Sequence, residues 1–430
     1  MNEGIASPFG LGALVLTALF YWLMLRAGRR LRFLMDQPTC KTKGVFIGQV
    51  EVSGRAVLDQ PLVSHLAEQP CVWFSYTVSE EWERWETETY TQNGKTMTRT
   101  VRRSGWNEID TGGAAPAFFL EDETGRVLVD PEGADLEPVE ILDETVTSES
   151  ALYYGKGPAG HIPNSTGRRQ FTERALLVGT PLFVAGRARE RPDAIAPLIA
   201  SERGEELFLI TTRGEDRVQG GYRWRFWLYG LLTLLFLPAA AVFGSGRPGL
   251  WPIGLGLALA FLWLAGWFWM SVNSLIALRN RTAQGWSLID VQLKRRADLI
   301  PRLVEVVGGL QRHESSLQAD LATLRAQAVA TPPGQPGPDI ASTSRALLAV
   351  AERYPELKAS DAFLRLQREL ADTETRVALA RDYYNAIATH LNTRLEIVPD
   401  RWFAPLAGLR AQSLLVAESF ERTPVAVRLA

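Results

Sequence analysis

Three long apolar runs constrain this chain more than any other feature. They extend roughly from Phe9 to Leu25, from Phe226 to Phe243 and from Leu250 to Leu278, and none contains Asp, Glu, Lys or Arg. A helix needs about 20 mostly apolar residues to cross a bilayer core, with about 17 as the lower limit. The third run exceeds this easily and the other two are short but uncharged. A mean hydropathy of -0.04 beside 22% charged residues fits such a segregated apolar content. The 13 tryptophans fit as well, because Trp favours membrane interfaces. Three membrane-spanning helices are therefore expected at 9–25, 226–243 and 250–278.

The flanking charges orient the spans. Glu3 precedes the first run, whereas Arg26, Arg29, Arg30 and Arg32 follow it. A secretory signal has the reverse order, so the first run reads as an uncleaved anchor. Arg217, Arg223 and Arg225 precede the second run, and Arg279, Arg281, Lys294, Arg295 and Arg296 follow the third. Gly244 to Gly249 leave room only for a tight hairpin between the second and third runs. By the positive-inside rule the N-terminus lies outside and both large polar regions face the cytoplasm.

The region 44–214 alternates short apolar runs with turn signals, as in GVFIGQVEVSG, CVWFSYTV and LFLITT. This pattern predicts a β-rich antiparallel module. Asn93-Gly94 is a two-residue hairpin signal. Closing on it sets Tyr90 opposite Met97, Glu88 opposite Arg99 and Trp85 opposite Arg102. The outgoing strand is acidic and the returning strand basic, which favours pairing. The same register sets Arg84 against Arg103, so a bulge or strong twist is expected there. The hairpin reads as a solvated ribbon. As a contact arm it would present Trp85, Glu88, Arg99 and Arg102. Asp122-Glu123-Thr124-Gly125 reads as a turn between strands, and the stretch around His161, Arg168 and Arg169 as a surface loop.

QPCVWFSYTV from Gln69, FFLEDETGRVLVDPEGA from Phe118 and ERALLVGTPLFVAGRA from Glu173 resemble the GIDE (beside-a-membrane) domain. In membrane-anchored ubiquitin ligases that domain lies between two transmembrane helices, while activity resides in a separate RING finger. A RING takes about eight Cys and His ligands for two zincs. Here Cys40 and Cys71 are the only cysteines and there are four histidines. The resemblance therefore implies the domain without the ligase chemistry.

After the third run the apolar period changes to about 3.5–3.6. Trp286, Ile289, Leu293, Ile300, Leu303, Val307, Leu310, Leu317, Leu321 and Leu324 form a stripe interrupted by Arg296 and Glu314. The third span should continue outward as a helical rod to about residue 325, kinked at Pro301. TPPGQPGPD from Thr331 is a loop. A second stripe holds Leu347, Leu348, Ala351 and Tyr354, and a third runs from Phe363 through Leu391 to Val398. A last helix is expected from roughly Trp402 to Phe420. Together these predict an antiparallel α-helical bundle of four helices over 279–421.

NRTAQGWSLIDVQLKRRADLIPRLVEVV from Asn280, ERYPELKASDAFLRLQRELADTETRVALARDYYNAIATHLN from Glu352 and the following VPDRWFAPLAGL resemble the LemA family. The resemblance implies a membrane-tethered helical bundle, usually bacterial, grouped with envelope and membrane homeostasis and carrying no established enzyme activity. Within it, Asp290, Lys294, Arg295, Arg296 and Asp298 form a charged block. Helical i,i+4 pairing explains much of it. Arg296 falls on the apolar seam, where a buried acid such as Glu374 or Glu369 would pair with it.

The 46 basic and 48 acidic residues give a net charge of -2, which excludes nucleic acid binding through a whole-protein basic field. No Walker, HExxH or nucleophile-elbow motif is present, so no catalytic residue, metal or cofactor is assigned. The chain is expected to be a non-enzymatic, multi-pass bacterial inner-membrane protein, a scaffold at the cytoplasmic face. Its expected partners are the lipid bilayer, a membrane or cytoplasmic protein and a second copy of itself. The alternatives are a ubiquitin-ligase-like transferase and an adaptor for a membrane protease or channel.

Overall fold

The computed structural model describes residues 8–92, 95–191, 196–202, 207–244, 251–310, 361–405 and 407–415. It divides into two compact units. One comprises residues 39–218, and the other joins residues up to 38 with those from 219 onward.

The first unit holds two sheets. Its strands are β1 (Gly48–Val57), β2 (Leu62–Val63), β3 (Pro70–Gln92), β4 (Lys95–Ala114), β5 (Phe118–Glu121), β6 (Arg126–Val129), β7 (Asp135–Glu137), β8 (Val139–Thr147), β9 (Ser165–Leu177), β10 (Pro181–Glu190), β11 (Pro197–Ile199) and β12 (Leu209–Thr211). In the first sheet the order is β1-β5-β6-β11-β10-β12-β7, and β1 also pairs with β10. That extra pairing closes β1, β5, β6, β11 and β10 into a ring around Val52, Phe118, Leu120, Val129 and Ile199, all buried. The second sheet runs β2-β3-β9-β8, with β4 on β3. Most pairs are antiparallel, but β6–β11 and β7–β12 are parallel. Long connections separate these partners in sequence, so no hairpin dictates their direction. A short α-helix of this unit, α2 (Ala151–Gly155), is capped by the Ser150 hydroxyl, which accepts from Leu152 N.

The β3–β4 ribbon carries the anticipated register, with Tyr90 opposite Met97, Glu88 opposite Arg99 and Trp85 opposite Arg102. Its turn, Asn93-Gly94, lies outside the described residues. No register shift occurs at Arg84–Arg103; the β3–β4 register shifts instead between Val78 and Ser79. Glu86 resolves the like-charge pair, since its carboxylate reaches both Arg84 and Arg103.

The second unit is helical: α1 (Pro8–Met35), α3 (Glu215–Gly244), α4 (Trp251–Leu310), α5 (Asp361–Glu396) and α6 (Asp400–Phe403). Three of these helices are long and apolar enough to cross a membrane, over Leu11–Met35, Glu215–Val242 and Pro252–Arg296. Exposed Trp22, Trp227, Leu257, Phe261 and Trp269 stud them. Close approach between α1 and α4 depends on glycine. A Cβ at Gly266 would overlap the Tyr21 phenol, whose hydroxyl donates to Leu262 O at 3.1 Å. Phe20 of α1 stacks on Phe236 of α3 with centroids 5.7 Å apart.

The 60 residues of α4 make a rod of about 90 Å. Pro301 does not interrupt it. Its outer half packs on α5 through Leu278, Ile387 and Leu391, then through Ile289, Tyr384 and Ala388. The buried face of α5 holds Phe363, Leu370, Val377, Tyr384, Ile387 and Leu391 as the period predicts, with Thr373 and Ala388 added. Val398 lies past the end of α5 and is exposed. The expected helix from Trp402 to Phe420 is replaced by α6 and a turn in which Gly408 has φ +63° and Leu409 N donates to Ala404 O. Residues 409–415 then run extended along α5. Pro405 and Gly408 explain the early stop, since one lacks a donor and the other takes the left-handed backbone cheaply. The 244–249 link, the rod beyond Leu310, the 331–339 loop, the 347–354 stripe and residues 416–420 lie outside the described residues.

Candidate functional site

The helical unit carries a buried polar cluster where α1, α4, α5 and α6 converge. Asp36 follows the last residue of α1 and is 4% exposed. Arg394, in the last turn of α5, donates from Nη1 to both Asp36 oxygens, at 2.9 and 3.1 Å, and to Ser274 Oγ at 2.7 Å. Ser274 of α4 donates its own proton to Asp36 Oδ2 at 2.8 Å. Arg394 Nε donates to Asp400 Oδ2 at 2.7 Å, which brings in α6. His390 Nε2 lies 3.4 Å from Asp36 Oδ1. One guanidinium is thus shared by two carboxylates on separate elements.

Burial works against ionisation of Asp36. The His390 and Ser274 side chains and the charges of Arg394 and Arg281 outweigh it and hold the carboxyl below its ordinary range. Burial likewise opposes the charge on Arg394, and Asp36 and Asp400 override it upward. Asp36, Arg394, Ser274 and Asp400 satisfy one another, so their chemistry is fastening, while His390 Nε2 is buried with no hydrogen-bond partner among the described residues. Phe403 packs edge-on against Trp267 and Phe268 of α4, with centroids 5.8 and 4.9 Å away, and Ala404 and Leu409 bury against Leu275. The sequence offered weak signals for this site: a lone Asp among arginines after the first span, and the acid in VPDRWF.

Of the charged block on α4, Lys294, Arg295 and Asp298 are exposed and Asp290 is half-buried. Arg296 is 7% exposed and its Nη1 lies 3.4 and 3.2 Å from the Glu374 oxygens on α5. Its Nε is buried with no hydrogen-bond partner among the described residues. The block therefore does not converge on one point. Arg296 turns inward, Asp290 is half-buried, and Lys294, Arg295 and Asp298 face water.

On the ribbon, Arg99 Nη2 lies 3.0 Å from Glu88 Oε2 and Arg102 pairs with Glu83. Trp85 is 67% exposed with no ring partner among the described residues. Every arginine of the ribbon has a carboxylate, which leaves Trp85 as its most conspicuous exposed group.

The surface-loop expectation for Arg169 is overturned. Ser165 to Leu177 form β9, and Arg169 and Glu80 of β3 are both fully buried. Arg169 donates from Nε and Nη2 to Glu80 Oε2 at 3.2 and 3.1 Å, and from Nη1 to Tyr153 O and Pro158 O. Tyr153, Ser165 and His161 Nδ1 close on Glu80 Oε1. Burial opposes ionisation of Glu80, and the Ser165, His161 and Arg169 contacts hold its carboxyl below the usual range. A legible signal existed: Arg169 shares its strand face with Phe171, Glu173 and Ala175, all fully buried. Glu173 on that face accepts from Leu66 N and Ala67 N.

At the β5–β6 turn, Asp122 accepts from Thr42 N and Oγ1, Thr124 N and Oγ1, and Gly125 N. Burial alone would raise its pKa, but these donors lower it to about 2. Donors pointing at both oxygens suit a turn and would repel a cation. Cys40 and Cys71 are buried thiols outside any disulfide, which burial and the nearby Glu51 and Glu173 push up to about 12 and about 11. Among the described residues no group of three His, Cys, Asp or Glu is placed to hold a metal.

Comparison with known proteins finds family matches for two stretches of the chain. Residues 285–429 match the LemA family model, beginning in the outer half of α4 and covering α5 and α6. Residues 86–243 match the GIDE model, described as E3 Ubiquitin ligase, from within β3 to the end of α3. Protein LemA of Metamycoplasma hominis is 25% identical over 158 residues, covering 36% of this chain and 72% of that protein. The chain thus combines a GIDE-like N-terminal part with a LemA-like C-terminal part.

Proposed function

We propose that this chain is a non-enzymatic, three-span protein of the bacterial inner membrane that organises protein partners at the cytoplasmic face, in the service of envelope or membrane homeostasis. The observation that carries this reading is α4. One helix runs from an apolar, membrane-competent stretch directly into the pairing with α5, with no loop between. A rod fixed in this way transmits position from bilayer to bundle, and the Asp36–Arg394–Asp400 cluster fastens its base. In this reading the N-terminus is outside, both polar units are cytoplasmic, the LemA-like part is an antiparallel helical bundle, and Trp85, Glu88, Arg99 and Arg102 form a contact arm. The Arg clusters after the first and third apolar runs support the orientation.

Reporter fusions test it. A cytoplasm-requiring reporter inserted between Asp130 and Gly133, or fused after Ala430, should be active. Activity of a periplasm-requiring reporter at either place overturns the orientation.

The GIDE match favours a second reading, a ubiquitin-ligase-like transferase. Two buried, high-pKa thiols in the whole chain supply neither a RING nor an accessible acceptor cysteine. Stoichiometric zinc in the purified protein, or transfer of a ubiquitin-like protein, would restore that reading.

A further inference from the structure

Residues 409–415 lie on α5 in a manner unlike ordinary core packing. Asn385 Nδ2 donates to Leu415 O at 2.9 Å and its Oδ1 accepts from Leu415 N at 2.8 Å. Asn392 repeats the arrangement on Gln412, at 2.8 Å in both directions. Tyr384 Oη adds a bond to Ser413 O at 3.0 Å. Seven helical residues rise about 10.5 Å, and three extended residues span about 10 Å. The two carboxamides therefore match the backbone repeat of an antiparallel extended chain.

All five bonds go to main-chain atoms. Arg410, Ala411, Ser413 and Leu414 project into water. Leu409 is buried against Leu275 and Ala404, and Leu415 packs beside Ile289, Tyr384 and Ala388. A segment whose only task was to fill a core would bury more of its side chains. This one is read through its backbone, with apolar anchors six residues apart and free choice at the exposed positions between. Such a site accepts any extended chain with those anchors. When it empties, two Asn carboxamides are left presenting a donor and an acceptor each.

We propose that this face of α5 is a receptor groove for an extended peptide of a partner protein, and that residues 409–415 are its resident, displaceable occupant. The partner segment carries an apolar residue at each end of a seven-residue stretch and an unblocked backbone N–H at its fourth and seventh positions. This rests on the scaffold reading and names the class of partner. Failure of the peptide test would remove the groove while leaving the reporter topology intact.

The test uses the full chain in lipid nanodiscs and a synthetic peptide with the sequence of residues 409–415, Leu-Arg-Ala-Gln-Ser-Leu-Leu. Excess peptide should bind and raise amide exchange of the resident segment at least ten-fold. The same peptide N-methylated at its fourth and seventh nitrogens should bind at least ten-fold more weakly. So should a peptide with both terminal leucines replaced by Asp. A peptide scrambled only at its second, third, fifth and sixth positions should bind as the parent does. N385A/N392A should lose the parent peptide while retaining its helical signal, because Ala favours helix more than Asn does. If that variant unfolds, the N-methylated peptide on the wild-type chain decides alone. Absence of displacement, or equal binding of the N-methylated peptide, overturns the proposal. Exchange of the segment between two copies, read as a dimer mass in place of peptide displacement, overturns it in favour of a swapped homodimer.

Discussion

Arg394 grips Asp36 across 358 residues of sequence, with one guanidinium nitrogen on both carboxylate oxygens. Asp36 is the first residue past α1, and Arg394 belongs to the last turn of α5. The pair ties the LemA-like helices to the base of the first apolar helix. Ser274 and Asp400 complete it from α4 and α6.

R394L should be among the most damaging substitutions in the helical unit. It leaves Asp36 buried without its counter-charge and frees Asp400. Breaking a buried pair from one side costs about 3–5 kcal/mol. Thermal melts of the detergent-solubilised chain, followed by helical ellipticity, should show a clear drop. The double variant D36N/R394L removes the charge as well as its partner and should recover part of the loss. A single variant that melts with wild type would show the cluster to be dispensable for stability.

The Asp122 turn predicts an acid limb in the stability of the β-rich unit. The folded pKa of about 2 lies below the ordinary 3.8, so the folded state binds this proton less readily than the unfolded chain. Its contribution is complete above pH 3.8 and fades as pH falls toward about 2. D122N, which cannot ionise, should melt lower than wild type at pH 5 and converge with it near pH 2. Tryptophan fluorescence melts across that range provide the check, and parallel curves would refute the assignment.

R296L separates pairing from partner contact. Arg296 meets Glu374, whose side chain keeps about a third of its surface in water. A freed Glu374 can therefore rehydrate, and the penalty should fall below the roughly 3–5 kcal/mol of a fully buried break. A lowered melting temperature is expected. An equal or higher one would show that the leucine fits the seam, and would make position 296 a contact site.

For the β-rich unit, R169M should destabilise strongly, again by about 3–5 kcal/mol, because both Arg169 and Glu80 are fully buried. E80Q/R169M should regain much of this, since no charge is then stranded. His161 beside them has a half-exposed side chain and connects the pair to solvent, so H161A should cost far less. If R169M and H161A prove equally mild, the buried pair does not organise this sheet.

Much of this molecule follows from local pattern. The three apolar runs became three membrane-competent helices, because uninterrupted apolar length is itself the criterion. The ribbon pairs in the register that the Asn93-Gly94 signal and the complementary strands predict, and the α5 face follows its period. These features are carried by contiguous stretches of sequence, a single run, one helix or two strands adjacent along the chain.

What the sequence alone did not disclose are pairings between distant residues. Nothing local to Arg169 says that Glu80 will face it, and nothing local to Asp36 points to Arg394. A buried ion forms only where two backbones bring opposite charges into a space that excludes water, so the tertiary fold decides it. The residues after α6 teach the same lesson from the other side. Their apolar spacing suits a helix, yet Pro405 and Gly408 turn the chain, and Asn385 and Asn392 on another helix supply the backbone partners that a helix would otherwise have provided.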